Sequence, residues 1–176
     1  SNFRVRFQQV TGSGVDWDYW HIDDVIVTER AATNFTCDDF ESGLVNWTVT
    51  SGGGDAGTSS ATFNSAGNSL FTRWEPVMLT SNTADTSSFT EVEVTAWVRR
   101  GDDSFSEDPD NGENLVLSYL DNTSTWIELE TFTGNGPAGE IFDRTYTLAA
   151  TAIHSGFRLR IQQTNGGGAD SDYWHV

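Results

Sequence analysis

With 26 acidic residues against nine arginines and no lysine, the 176-residue chain carries a formal net charge of −17. Such a surface repels nucleic-acid phosphate and anionic lipid, and it offers oxygen ligands to divalent cations. The length suits one domain with its own core and not two, a single cysteine (Cys37) excludes an internal disulfide and a multi-thiolate zinc site, and no apolar run approaches the length of a membrane-spanning helix.

The chain opens on a stretch that it nearly repeats at its other end. Residues 1–22 align without a gap to residues 155–176, an offset of 154, and 13 of the 22 positions are identical. Val5/Leu159, Phe7/Ile161 and Ile22/Val176 exchange one apolar residue for another, so both copies suit the same buried slots. The expectation is a piece of a tandem array. Residues 1–30 supply the closing strands of a preceding unit, and residues 31–176 form one repeat lacking its own final strand.

Strand signals then follow in order at 19–27, 45–50, 69–74, 91–99, 114–120, 125–132, 143–148 and 157–162. The clearest are two alternations of period two: Val92, Val94, Ala96 and Val98 against Glu91, Glu93, Thr95, Trp97 and Arg99, and Phe157, Leu159 and Ile161 against Arg158, Arg160 and Gln162. Turns rich in Gly, Asn, Asp and Ser separate the strands, and no stretch sustains a helical period. The fold class expected is all-β, a two-sheet antiparallel jelly-roll β-sandwich.

Nothing along the chain announces an enzyme. Gly52, Gly54 and Gly57 spell G-x-G-x-x-G, but the β-prone "TSSATFNS" that follows supplies no helix N-terminus for a pyrophosphate, so the run reads as a flexible loop. His21 and His175 occupy the same repeat position, and His154 has no nucleophile motif beside it; the strand histidines read as packing. Carboxylates are so abundant that a pair at glycosidase separation carries no information.

The loop at 101–114 gathers Asp102, Asp103, Glu107, Asp108, Asp110 and Glu113 around Pro109 and Gly112. Like charges at that density destabilise a folded loop unless a second calcium ion, or Arg99 and Arg100 just before the loop, neutralises them; the alternative of equal standing is a solvated, mobile acidic loop. A sheet face carrying Trp97, Trp126, Arg158, Arg160 and Gln162 is the candidate surface for carbohydrate. The preferred expectation is plainer, with Arg158 and Arg160 paired across strands to Glu91 and Glu93.

"CDDFESGLVNWTV" at 37–49 and "DYWHIDDVIV" at 18–27 resemble the opening and closing strands of MAM domains and related carbohydrate-binding jelly rolls. "GGGDAGTSSATFNSAGNSLFTRW" and "VRRGDDSFSEDPDNGENLVLSYLD" look closest to MAM-like repeats of large bacterial surface proteins, including those of mannose-sensitive haemagglutinin pilus biogenesis. Cys37 has no second cysteine, which puts the animal MAM disulfides out of reach. The resemblance implies a jelly roll placed outside the cell, with a calcium ion stapling the first strand to the last through Glu41 and Asp23, and Asp24 and Asp39 in reserve.

The reading that follows is an extracellular, cell-surface, non-enzymatic repeat module of a pilus-associated fibre, a spacer or adhesive unit rigidified by calcium. The alternative is a lectin-like carbohydrate-binding module with glycan partners. Val176 is expected to leave an exposed strand edge. Either 23–27 folds back to finish its own sheet, or, as preferred, 1–29 packs against another copy and joins units head to tail.

Overall fold

The computed structural model describes residues 38–65, 67–102, 106–167 and 172–176, all within the second of two units into which the chain divides, Asn34–Val176. The segment 1–30, the strand expected at 19–27, His21 and Cys37 lie outside the described residues.

The described residues form β1 (Trp47–Ser51), β2 (Asp55–Ser59), β3 (Ser69–Arg73), β4 (Val77–Ser81), β5 (Glu93–Arg100), β6 (Leu115–Leu120), β7 (Trp126–Phe132), β8 (Ile141–Thr147), β9 (Leu159–Gln163) and β10 (Tyr173–His175), with one 3-10 turn at Ala150–Ala152. They build two five-stranded antiparallel sheets, β1-β4-β9-β6-β7 (the first sheet) and β2-β3-β10-β5-β8 (the second). This is the all-β jelly-roll sandwich that the alternating pattern predicts.

The period of two decides which side chains enter the core. On β5, Val94 and Val98 are buried while Glu93 and Thr95 are exposed. On β9, Ile161 is buried, and Arg160 and Gln162 take the other face. One core cluster joins Leu70, Leu79, Leu115, Phe132, Ile161 and Trp174. A second, built on Val92, Val94, Tyr119, Leu148 and Phe157, fills the other end. Each large apolar side chain so buried contributes about 1.5–3 kcal/mol before the cost of ordering it.

Three expectations change. The glycine-rich run is no flexible loop: Asp55–Ser59 is β2, paired with β3 from Asp55↔Arg73 to Ser59↔Ser69. Gly57 is required there because a Cβ would come within 2.9 Å of the Phe71 ring. A further strand, β4, follows Pro76 and lies between β1 and β9. Finally, β10 is not an edge: it pairs with β3 on one side and β5 on the other, and Val176 exchanges both main-chain hydrogen bonds with Leu70 at 2.9 Å.

Candidate functional site

The outer face of the first sheet brings together part of the expected carbohydrate surface. Arg160 on β9 stands between Thr80 on β4 and Ser118 on β6, and Gln162 follows it on the same face between Met78 and Val116. Trp126 opens β7 opposite Leu120. The Arg160 guanidinium lies 4.6 Å from the centre of the Trp126 ring and donates to Ser118 Oγ at 3.4 Å. Its Nε is buried with no hydrogen-bond partner, and burial holds the guanidinium below its ordinary pKa.

Two expectations are corrected on this face. Arg158 and Arg160 do not pair across strands with Glu93, because Glu93 belongs to β5 in the second sheet and pairs with Thr147. Arg158 instead donates from Nε to Thr83 Oγ1 at 2.8 Å, and neither arginine enters a described ion pair. Trp97 does not join them: it sits on β5 opposite Asp143, so the two tryptophans belong to different sheets.

The first acidic constellation is engaged within the fold. Glu41 lies in a turn ahead of β1, and its carboxylate accepts from Asn68, main-chain N–H at 2.6 Å and Nδ2 at 3.2 Å. Asp39 accepts from the Glu41 N–H at 3.2 Å, and Asp38 accepts from Trp47 Nε1 at 2.8 Å. Asp23 and Asp24 lie outside the described residues. The described part of this set therefore staples turns, and among the described residues no three Asp, Glu, His or Cys side chains gather as a metal group.

Four of the loop carboxylates, Glu113, Asp110, Glu107 and Asp108, lie near enough to Asp172 for their charges to act on it. Asp102 is exposed, 3.9 Å from Arg99, and Asp103 lies outside the described residues. Glu107 meets Asp172 through main-chain pairing, Asp108 is half-buried and Asp110 is exposed. The buried carboxylates are Glu113, 2% exposed, and Asp172, 3% exposed. Burial, and next the Glu113 charge, push the Asp172 carboxyl up to about 6. Sequence reasoning missed Asp172. The one signal was its place in the repeated Asp-Tyr-Trp-His, where it matches Asp18.

The two described histidines, His154 and His175, each sit against neighbouring groups of the fold. The His154 ring meets the Leu120 carbonyl at 3.0 Å, and His175 is buried beside Ser69 Oγ, 3.3 Å from its Nδ1. A cavity of about 230 Å³, lined by Phe40, Val94, Ala96, Leu117, Ile161 and Val176 among others, opens between the sheets. It lies where β5 runs on from Trp97 to Glu93 with β8 on one side and, among the described residues, no strand on the other.

No family model matches the chain, and no curated protein matches it. Among solved structures it is similar to a domain described as the xylan-binding domain from carbohydrate-binding module family 22, with 13% identity, 83% of this chain and 92% of that chain covered, and a TM-score of 0.52. It is also similar to the C-terminal family 22 carbohydrate-binding module of Clostridium thermocellum Xyn10B, with 13% identity over 84% of this chain and 92% of that chain, and a TM-score of 0.51. At such identities the likeness is one of fold. Neither is a MAM domain or a pilus protein.

Proposed function

We propose that the chain is a non-catalytic carbohydrate-binding module of an extracellular protein, with its ligand face on the outer side of the first sheet around Trp126 and Arg160. The observation that carries this is the Arg160 guanidinium standing 4.6 Å from the centre of the Trp126 ring on the outer face of the first sheet. The indole offers a flat apolar surface to the C–H face of a sugar ring, while Thr80 and Gln162 supply further hydrogen-bonding groups alongside.

The fold supports this reading, since both solved structures named above are carbohydrate-binding modules, one of them described as xylan-binding. A net charge of −17 favours neutral over acidic polysaccharides. The test is affinity electrophoresis of the full chain in gels containing xylan, β-glucan or mannan, with Trp126→Ala and Arg160→Gln alongside. Retardation by a neutral polysaccharide that both variants lose supports the reading; equal mobility in every gel sinks it.

A second reading, a unit in a series of like modules at the cell surface, is favoured by the repeated ends. Ile22 takes the place of Val176 in the alignment, so a segment with the sequence of 23–27, supplied by a neighbouring unit or copy, would continue the line of β10 beside β5. In that register Ile26 falls opposite Val94 and faces the cavity between the sheets.

A further inference from the structure

We propose that Glu113 and Asp172 form a binding site for one divalent cation of the calcium class, at the end of the sandwich where β10 begins beside β5. Three observations place it there. Glu113 Oε1 and Asp172 Oδ2 are both buried and have no hydrogen-bond partner, on side chains only 2% and 3% exposed. Both oxygens face the same small space, the side of Gly167 that carries no Cβ: a methyl group built there would stand 2.8 Å from Glu113 Oε1 and 4.0 Å from Asp172 Oδ2.

The arginines that the sequence offered for this charge are committed elsewhere. Arg100 donates to the carbonyls of Thr133 and Pro137 and to Glu140. Arg99 is held by the carbonyls of Gly101 and Asp102 and by Thr62. No described ion pair reaches Glu113 or Asp172.

The pair is also held in place. Glu113 Oε2 accepts the Asp110 N–H at 2.9 Å, and the Glu113 carbonyl accepts the Trp174 indole N–H at 2.8 Å. Asp172 is fixed by main-chain pairing with Glu107. The second oxygen of each carboxylate is therefore presented by a backbone that cannot easily turn it away. Burying two carboxylates beside Asp110, Glu107 and Asp108 is unfavourable unless a cation or a proton is taken up. Calcium accepts carboxylates in flexible geometry and completes its six to eight oxygens with water and carbonyls, whereas magnesium demands a regular octahedron. Tryptophan contact at the site supplies a direct optical reporter.

The experiment is a terbium titration of the full chain at pH 7, exciting tryptophan and reading sensitised terbium emission, with calcium as competitor. Saturable emission that calcium displaces is expected, weakened about tenfold or more in Glu113→Gln and in Asp172→Asn and unchanged in Glu41→Gln. Circular dichroism checks that each variant is folded. Absence of saturable emission overturns the proposal and leaves a shared proton as the neutralising species. Emission lost in Glu41→Gln but kept in both site variants also overturns it, by moving the cation to the opposite end.

Discussion

Arg160 on β9 reaches across β6 to place its guanidinium 4.6 Å from the ring centre of Trp126 on β7. Two strand spacings separate the backbones, about 9–10 Å, a span that suits arginine and that no shorter cation bridges. The intervening residue is Ser118, fully buried, small enough to let the side chain pass and still accept a hydrogen bond from it. The contact is a cation–π pair on an open face, worth about 1 kcal/mol. Arg160→Gln is therefore expected to lower the melting temperature by no more than a few degrees, a shift that differential scanning calorimetry resolves. A larger loss would mean that the arginine serves the fold first.

Asp172 gives the chain an unusual dependence on pH. Its carboxyl is raised from 3.8 to about 6 by burial and by Glu113, so the folded state holds a proton that the unfolded state has released. A raised carboxyl stabilises the fold below the unfolded value, and that stability is lost as pH rises toward the folded value. In EDTA, stability should fall between about pH 4 and pH 6, by up to about 3 kcal/mol. Urea unfolding at a series of pH values measures this, and Asp172→Asn should flatten the profile. Stability that rises across the same window would contradict the assignment.

Arg100 is 2% exposed and holds the 133–140 turn by hydrogen bonds to Thr133, Pro137 and Glu140. Arg100→Ala leaves carbonyls without donors and opens a gap beside Trp174, whose ring centre lies 5.7 Å from the guanidinium. A loss of about 3–5 kcal/mol is expected, read as a shift of the urea midpoint. Glu140→Gln, with its carboxylate 39% exposed, should cost far less, and equal losses from the two changes would refute the carbonyl account.

The side of β5 that no described strand covers predicts a gain. Extending the chain after Val176 with Asp-Asp-Val-Ile-Val, the sequence of 23–27, should continue β10 and bring an isoleucine to Val94. Burial of that side chain is worth about 1.5–3 kcal/mol, less the cost of ordering the strand and of turning the second aspartate of the extension toward Ala96. A rise of a few degrees in melting temperature is expected, reduced when the isoleucine is replaced by aspartate. An extension that leaves the melting temperature unchanged would show that the cavity does not take a strand.

The sandwich was legible where strands are half-buried: β5 and β9 alternate strictly, and alternation is a property of neighbours in sequence. β2 and β4 were hidden by their contacts. Gly57 breaks the alternation because Phe71 lies over it, and β4 starts directly behind Pro76, a residue that reads as a turn. Of the expected carbohydrate face, Trp126, Arg160 and Gln162 meet on the first sheet. Trp97 falls away because only the topology decides which sheet each strand joins. Glu113 and Asp172 meet for the same reason: β10 enters beside β5, and no local pattern links residues so far apart.

The central claim is that the Trp126–Arg160 face binds carbohydrate, and isothermal titration calorimetry of the full chain with xylo-oligosaccharides, β-gluco-oligosaccharides and manno-oligosaccharides tests it most directly. Saturable binding to at least one series is predicted, abolished or weakened about tenfold or more by Trp126→Ala and by Arg160→Gln and untouched by Trp97→Ala, with the fold retained. Binding that survives both of the first two changes, or that only Trp97→Ala removes, would place the site on another face and contradict the account.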